Sequence, residues 1–151
     1  MKKILIISNN DSIISLFDEY TKNTGKLEVV NRKPFIPFKG VIESVEEIKN
    51  TNFDVLMMGH KLKKIDYELL YSGYGKSEDG EGLEILKSSK NFLKGKTIIS
   101  DGCTPVGYRK IMNLYRGAGV NHFINRNTVN FADRFNNLIL CLNNECDCFK
   151  L

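Results

Sequence analysis

The sequence predicts an α/β fold of the doubly wound type, with a parallel sheet covered by helices on both faces. Two observations predict it. Five short apolar runs, rich in Ile, Val, Leu and Met, alternate with longer segments whose apolar residues have helical spacing. This alternation is typical of strands joined by helical crossovers. The length of 151 residues suits one self-sufficient core, so we expect a single domain over 1–151.

The five predicted strands are short apolar runs, as expected for strands buried on both faces. They are ILII (4–7), KLEVV (26–30), DVLMM (54–58), KTIIS (96–100) and NHFIN (121–125). Right-handed crossovers between parallel strands leave few arrangements, and the most economical is the flavodoxin-like order 2-1-3-4-5. In that order, a functional site is expected beyond the carboxyl ends of the strands.

Five helices are predicted between and after these strands. The first has Asn10 or Asp11 as its N-cap and ends at Gly25. The second is marked by Ile42, Val45 and Ile48, and the third by Leu83, Leu86 and Leu93. The fourth begins at Thr104 and Pro105, a favourable N-cap and first-turn pair, and the last runs from Val129 to Leu142.

Two segments are longer than simple connections and are predicted to be insertions. Residues 31–40, NRKPFIPFKG, contain two prolines and cannot continue a central strand. Residues 59–82 form a connection of a length that is usually functional or disordered. This second insertion holds Tyr67, Tyr71 and Tyr74. We expect this insertion either to bind a partner or a nucleotide, or to cover the strand ends as a lid with its tyrosines packed inward.

Composition argues against several classes of protein. The formal charge is +4, but the basic residues are scattered and do not predict a nucleic-acid-binding face. The sequence has neither an apolar run long enough for a membrane span nor a signal peptide, so we expect a cytoplasmic protein. The cysteines, Cys103, Cys141, Cys146 and Cys148, lack paired metal-ligand spacing and are expected to be reduced thiols. No glycine-rich phosphate loop follows the first strand, which disfavours a dinucleotide or P-loop enzyme.

The order of these motifs resembles the receiver domain of bacterial response regulators over almost the whole chain. The similar segments are the opening MKKILIISNNDSIISLF, the third strand FDVLMMG, the loop and helix DGEGLEILK, the strand end IIS, and GAGVNHFINR. The resemblance implies a flavodoxin-like receiver fold, a role in two-component signal transduction or a phosphorelay, and a pocket at the strand ends.

Most positions that the resemblance assigns to this pocket carry a different residue type from the family. Ser8 and Asn9 stand at the acidic pair, Gly59 at the phosphorylated aspartate, and Arg126 at the lysine that contacts phosphate. Ser100, at the hydroxyl position, and Phe123, at the switch aromatic, fit the family pattern. The pocket is therefore predicted to be a degenerate form of the receiver site.

These departures remove the chemistry of receiver phosphorylation. That reaction needs a carboxylate nucleophile and a hard cation, and Mg²⁺ is normally held by one or two carboxylates. At an effective dielectric near 20, each charge at about 4 Å contributes at most about 4 kcal/mol, so losing three should abolish Mg²⁺ binding. We expect a pseudo-receiver that is not an enzyme and has no metal and no cofactor.

Two further residues are candidate members of this pocket. His60 is expected to be hydrogen-bonded to the backbone or exposed, with a catalytic role as the alternative. Asp101 is expected to cap the following loop or helix, or to pair with Arg126. Arg126 itself is predicted to pair with Asp101 or with an acidic residue of 78–81, because an unpaired buried charge is costly.

The predicted function is a regulatory module that acts by protein contact without phosphorylation. By resemblance, its contact surface is the fourth helix, the fifth strand and the last helix, which includes self-association. The alternative is a flavodoxin-like binder of a small ligand or nucleotide, or an enzyme, that uses the crevice at the strand ends. A pocket of several hundred Å³ lined by the tyrosines would favour the alternative, and a crevice filled by side chains would favour the module.

Overall fold

In a computed structural model, the chain forms a five-stranded parallel sheet in the order β2-β1-β3-β4-β5. The structure describes residues 1–31, 38–64, 66–74, 78–101, 108–124 and 130–143. The strands are β1 (Lys2–Ile7), β2 (Leu27–Val29), β3 (Val55–Met58), β4 (Thr97–Ser100) and β5 (His122–Phe123). All four pairings are parallel, so the predicted fold class and strand order are confirmed.

Six α-helices lie within the described ranges. They are α1 (Asp11–Thr24), α2 (Val41–Asn50), α3 (Tyr67–Tyr71), α4 (Glu81–Ser88), α5 (Tyr108–Gly117) and α6 (Phe131–Leu142). The five predicted helices correspond to α1, α2, α4, α5 and α6, whereas α3 is a short additional helix inside the second insertion. The third predicted helix ends earlier than expected, because α4 stops at Ser88 and a 3₁₀ turn (Lys90–Phe92) precedes Leu93.

The ends of α1 follow the predicted capping. The side chain of Asn10 accepts a hydrogen bond from the amide of Ile13, and Gly25 adopts the left-handed conformation with φ of 63°. Other predicted boundaries, Thr104 with Pro105 and Val129, lie outside the described residues, as do Arg126 and residues 32–37 of the first insertion.

The core is divided by the sheet into two layers. Alternate β1 residues enter opposite layers: Leu5 and Ile7 pack with α2, α4 and α5, whereas Ile4 and Ile6 pack with α1 and α6. This double burial explains the continuous apolar runs of the central strands. Within the described ranges, no helix has the length and apolar character that a membrane span requires.

The register of the central strands determines which residues meet at the carboxyl edge of the sheet. Ile7 pairs with Met58, Met58 with Ser100, and Ser100 with Phe123. The residues that follow the first three of these, Ser8, Gly59 and Asp101, therefore lie side by side just beyond the strands. Ser100 is one step earlier, within the sheet.

Candidate functional site

Ser8, Gly59 and Asp101 form the centre of the site at the strand ends. The amide of Gly59 donates to the carbonyl of Ile7 at 2.7 Å, and the amide of Asp101 donates to the carbonyl of Met58 at 3.3 Å. The hydroxyl of Ser8 donates a hydrogen bond to the carboxylate of Asp101. These contacts hold the end of β1 against the end of β4, across the position of Gly59.

The space beside Gly59 is occupied by its neighbours. A Cβ atom at this position would lie 2.8 Å from Cδ2 of Leu62, and 3.3 Å from both Oδ1 of Asp101 and Cα of Ser8. Leu62 is buried, and it is the fourth residue of the second insertion counted from Gly59. The site therefore has no side chain at the predicted phosphoacceptor position. Leu62, from the same loop as Gly59, and the carboxylate of Asp101, from the end of β4, lie against that position instead.

Burial of Asp101 changes its acidity. The residue is 6% exposed, and this desolvation raises the pKa of its carboxyl group to about 6. Hydrogen bonds from Ser8 and from the amide of Asp101 itself lower the pKa, but by less than burial raises it. The alternative pairing of Asp101 with Arg126 stays a prediction, since Arg126 lies outside the described residues.

The other positions that the resemblance assigns to the pocket differ from one another in burial and in contacts. Ser100 is fully buried, and its hydroxyl has no hydrogen-bond partner within the described part of the chain. Asn9 is exposed at the surface. Phe123 is buried, with the guanidinium carbon of Arg116 lying 5.8 Å from the centre of its ring. Among the described positions of the assigned set, Ser8 donates a hydrogen bond to Asp101, and Gly59 lies beside both residues.

His60 is a buried link between the end of β3 and α5. Of the two predicted environments, a histidine hydrogen-bonded to the backbone or an exposed one, the second is wrong. Its Nδ1 atom lies 2.6 Å from the hydroxyl of Tyr115, and the two rings are edge to face with centroids 5.3 Å apart. Nothing in the sequence pattern indicates a contact between residues 55 positions apart.

The glycines at the start of α4 allow the backbone to approach the end of β3. A Cβ atom at Gly82 would lie 1.7 Å from the carbonyl oxygen of Gly59, and one at Gly80 would lie 2.5 Å from Nδ1 of His60. The amide of Gly82 donates to the carbonyl of His60 at 3.1 Å. The two glycines of the DGEG sequence therefore permit a backbone approach that a Cβ atom at either position would block.

The two ends of the second insertion are tied together at Glu81. The hydroxyl of Tyr74 donates to both carboxylate oxygens of Glu81 at 2.7 and 2.6 Å, and the amide of Leu62 donates to Oε2 at 3.2 Å. The hydroxyl of Tyr74 also accepts from the amide of Lys63 at 3.2 Å. These hydrogen bonds hold the two ends of the second insertion together at the start of α4. We call Leu62, Lys63, Tyr74 and Glu81 the neck of the insertion.

The same network shifts two pKa values. Burial alone would raise the pKa of Glu81, but the hydrogen bonds from Tyr74 and Leu62 and the charge of Lys63 together bring it below its ordinary value. Burial, reinforced by the hydrogen bond to Glu81, raises the pKa of Tyr74 to about 12. At neutral pH the pair is therefore a neutral phenol donating to a carboxylate, which is a strong type of hydrogen bond.

The expected lid with inward tyrosines is wrong for two of its three tyrosines. Tyr67 and Tyr71 on α3 are 79% and 89% exposed, whereas Tyr74 is half-buried at the neck. What covers Gly59 is Leu62, at the beginning of the insertion, rather than the aromatic residues of its middle.

A groove of about 710 Å³ lies between the start of α2 and the neck of the insertion. It is lined by residues that include Phe38, Val41, Tyr74, Glu81, Leu83 and Lys87. Within the described ranges, its lining includes none of Ser8, Gly59, Ser100 or Asp101, so it is separate from the strand-end pocket. No cluster of three His, Cys, Asp or Glu side chains suited to a metal ion occurs in the described part of the chain.

Comparison with known proteins places this architecture among receiver domains. A receiver domain protein (CheY-like) from Methanospirillum hungatei has a TM-score of 0.60 at 17% identity, covering 96% of both chains. A two-component response regulator from Clostridium difficile has 0.62 at 12% identity, covering 94% of this chain and 95% of its own. The receiver domain of a sensor histidine kinase from Pseudomonas aeruginosa, with magnesium in its active site cleft, has 0.55 at 15% identity, covering 95% and 98%.

No protein-family model and no curated protein matches the sequence. The identities of these structural neighbours are low, so what they have in common with this chain is the fold. The chain has the fold of response regulator receiver domains, as its motifs predicted.

Proposed function

We propose that this chain is a signalling module of the receiver type that acts by protein contact without being phosphorylated, and that it is not an enzyme. The observation that carries the proposal is Gly59, a residue with no side chain at the phosphoacceptor position, whose space Leu62 and Asp101 already occupy. Its place of action, on this proposal, is the cytoplasm.

The carboxylate of Asp101 is a poor substitute for the missing aspartate. It is buried, and its side chain is held by the hydroxyl of Ser8. A phosphoryl group on the Asp101 oxygen that accepts from Ser8 would have to displace the Ser8 hydroxyl. The acidic pair that supplies Mg²⁺ ligands in receivers is replaced by Ser8 and Asn9, and a single carboxylate gives Mg²⁺ little to bind.

The proposed contact surface is α5, β5 and α6. Leu114 on α5 and Leu140 on α6 are both partly exposed. His60 and Tyr115 connect α5 to the end of β3, so the position of this surface depends on the strand-end pocket. The state of the module would then be set by partner binding rather than by a phosphodonor.

Titration with Mg²⁺ and then with beryllofluoride, followed by amide NMR shifts at Gly59 and Ser100, tests the proposal. We expect no saturable change at millimolar concentrations, while a phosphorylatable receiver domain in the same buffer gives large shifts. Saturable shifts at Gly59 and Ser100 would show that the pocket still binds the phosphoryl mimic, and the proposal would fail.

The groove beside α2 supports a second candidate function, the binding of a small ligand or nucleotide. Its volume is within the range of small-molecule sites, and Tyr74 with Leu83 supplies aromatic and apolar surface. Titration with nucleotides should then shift the amides of Val41 and Leu83 and leave Gly59 unchanged. Absence of such shifts at millimolar nucleotide would remove this candidate.

A further inference from the structure

The exposed face of α5 is basic around one apolar side chain. The helix has the sequence YRKIMNLYRG and contains no acidic residue. Its inner positions, Ile111, Met112 and Tyr115, are in the core, whereas Arg109, Lys110 and Arg116 are exposed, and Leu114 is 37% exposed. Lys110 forms an ion pair with Glu78 at 2.6 Å, and Arg116 lies over Phe123. The face therefore presents an excess of positive charge next to an accessible leucine.

The exposed face of α2 has the opposite charge around one apolar side chain. Ser44 and Ile48 face inward, whereas Glu43 and Glu46 are exposed and Ile42 is 76% exposed. Lys49, in the last turn, lies over the ring of Phe92, away from the first turn. The exposed side chain of Ile42 and the carboxylates of Glu43 and Glu46 together form an apolar and acidic surface. Such a surface suits a partner that is basic and partly apolar.

These two faces lie on the same side of the sheet but toward its opposite edges. The helices α2, α4 and α5 all pack into the same core layer. The edge strands of the sheet are β2 and β5. Along the chain, α2 directly follows β2, and α5 directly precedes β5. With α4 between them, the two faces cannot meet within one copy, but they can meet between two copies.

We propose that the partner of the α5 face is the α2 face of a second copy of this chain. This inference rests on the proposed function as a protein-contact module and names its partner. The acidic and basic faces steer the encounter, and Leu114 and Ile42 lose contact with water in the complex. Because the two surfaces are different, the contact is head to tail, and each dimer keeps one free face of each kind to which another copy can bind.

Sedimentation velocity of the intact chain over a range from micromolar to submillimolar concentration tests the contact. We expect the weight-average sedimentation coefficient to rise with concentration at low salt. The rise should be lost near 1 M salt, where the Debye length falls to about 3 Å. A chain that stays monomeric at submillimolar concentration in low salt would overturn the proposal.

Two variants separate the faces. Arg109→Ser with Arg116→Ser neutralises α5, and Glu43→Gln with Glu46→Gln neutralises α2. Each is expected to weaken self-association by about tenfold or more. The matched controls are Lys90→Ser with Lys94→Ser, and Glu19→Gln with Asp133→Asn, which remove the same charges at exposed positions outside both faces. These controls should associate like the wild-type chain.

Mixing the two neutralised variants distinguishes a head-to-tail contact from a symmetric one. Each variant keeps one intact face, so the mixture should form a one-to-one dimer about as tightly as the wild-type chain self-associates, although each variant alone associates more weakly by about tenfold or more. If only the α5 variant loses association and the mixture does not rescue it, the contact is symmetric and the proposal is wrong. This result is independent of the Mg²⁺ and beryllofluoride titration, so failure of the head-to-tail contact leaves the proposed function standing.

Discussion

The carboxylate of Asp101 accepts a hydrogen bond from the hydroxyl of Ser8, and the contact joins the ends of β4 and β1 across Gly59. It brings a buried carboxylate next to the position where a receiver has its phosphorylated aspartate. The carboxylate comes from the neighbouring strand and is held by a hydroxyl. Two consequences for stability follow from this arrangement.

The first concerns the charge of Asp101. Its pKa in the folded chain is about 6, above its ordinary value of 3.8. The folded state therefore binds the proton more tightly, and stability is lost as the pH rises from about 4 to about 6. Asp101→Asn retains an acceptor for Ser8 without the charge. We expect it to be more stable than wild type at neutral pH by about 1–3 kcal/mol, with the gain vanishing near pH 4.

Urea denaturation of both proteins at several pH values measures this difference, and Asp133→Asn on the surface of α6 is the control. An Asn variant that is less stable than wild type at neutral pH contradicts the prediction. That outcome would favour the alternative pairing of Asp101 with Arg126, in which the carboxylate has a positive partner.

The second consequence concerns a carboxylate placed back at position 59. Gly59→Asp would put a second carboxylate beside Asp101, because a Cβ there is already 3.3 Å from its Oδ1. Gly59→Asn displaces Leu62 in the same way without adding charge. We expect the Asp variant to be less stable than the Asn variant by about 1–4 kcal/mol at neutral pH, from the repulsion between the two charges.

Thermal and urea denaturation of the two variants at neutral and acidic pH checks this expectation. The difference should shrink below the pKa of Asp101, where one carboxyl group is protonated. Equal stability of the Asp and Asn variants at neutral pH would mean that the charges do not meet in the folded chain.

The close approach of α4 to the end of β3 makes a third prediction. A Cβ at Gly82 would overlap the carbonyl oxygen of Gly59, a backbone atom that cannot rotate away. Gly82→Ala is therefore expected to destabilise the fold by about 3 kcal/mol or more, at the upper end of the effects of overpacking. Gly117→Ala is the matched control, because nothing lies within 4 Å of its Cβ position and alanine favours a helix.

Urea denaturation of the two alanine variants gives the comparison directly. The control should be as stable as wild type or more stable. If Gly82→Ala unfolded at the same urea concentration as the control, the backbone of Gly82 would lie farther from the carbonyl oxygen of Gly59 than it does in this structure.

The fold was predictable from the sequence because its signals are local. Continuous apolar runs such as ILII and helix caps such as Asn10 and Gly25 each act within a few residues, and the strand order follows from crossover handedness. The motifs also indicated which position lacks its aspartate. Which side chains fill the pocket was harder to predict. Asp101 lies beside Gly59 only because Met58 pairs with Ser100 in the register between β3 and β4. Composition carries no information on that register.

The second insertion shows the same limit. Its length and tyrosines suggested a lid, but the sequence does not distinguish a tyrosine that packs inward from one that faces water. Tyr74 is held because Glu81, seven residues later, begins α4 and presents its carboxylate to the neck. Tyr67 and Tyr71 lie on one side of a helix of five residues, and that helix leaves them exposed.

The last prediction tests the neck of the insertion. Tyr74→Phe removes the hydroxyl that donates to both oxygens of Glu81 and leaves a buried carboxylate with fewer donors. We expect a loss of about 1–3 kcal/mol in the free energy of unfolding, the usual cost of a hydrogen bond to a charged group. Tyr71→Phe is the matched control, since Tyr71 is almost fully exposed, and it should change stability by less than about 0.5 kcal/mol.

The pH dependence of the same pair gives an independent check. The pKa of Glu81 lies below its ordinary value, so its stabilising contribution is present above its unfolded-state pKa and is lost as the pH falls through the folded-state pKa. In Tyr74→Phe the pKa of Glu81 should rise, because the largest contribution that lowers it is gone. Hydrogen exchange should be faster at the amides of Leu62 and Lys63 in Tyr74→Phe and unchanged in Tyr71→Phe. Unchanged exchange at both amides would mean that contacts other than the Tyr74 hydroxyl, such as the hydrogen bonds from Leu62 to Glu81 and from Gly82 to His60, are sufficient to hold this region.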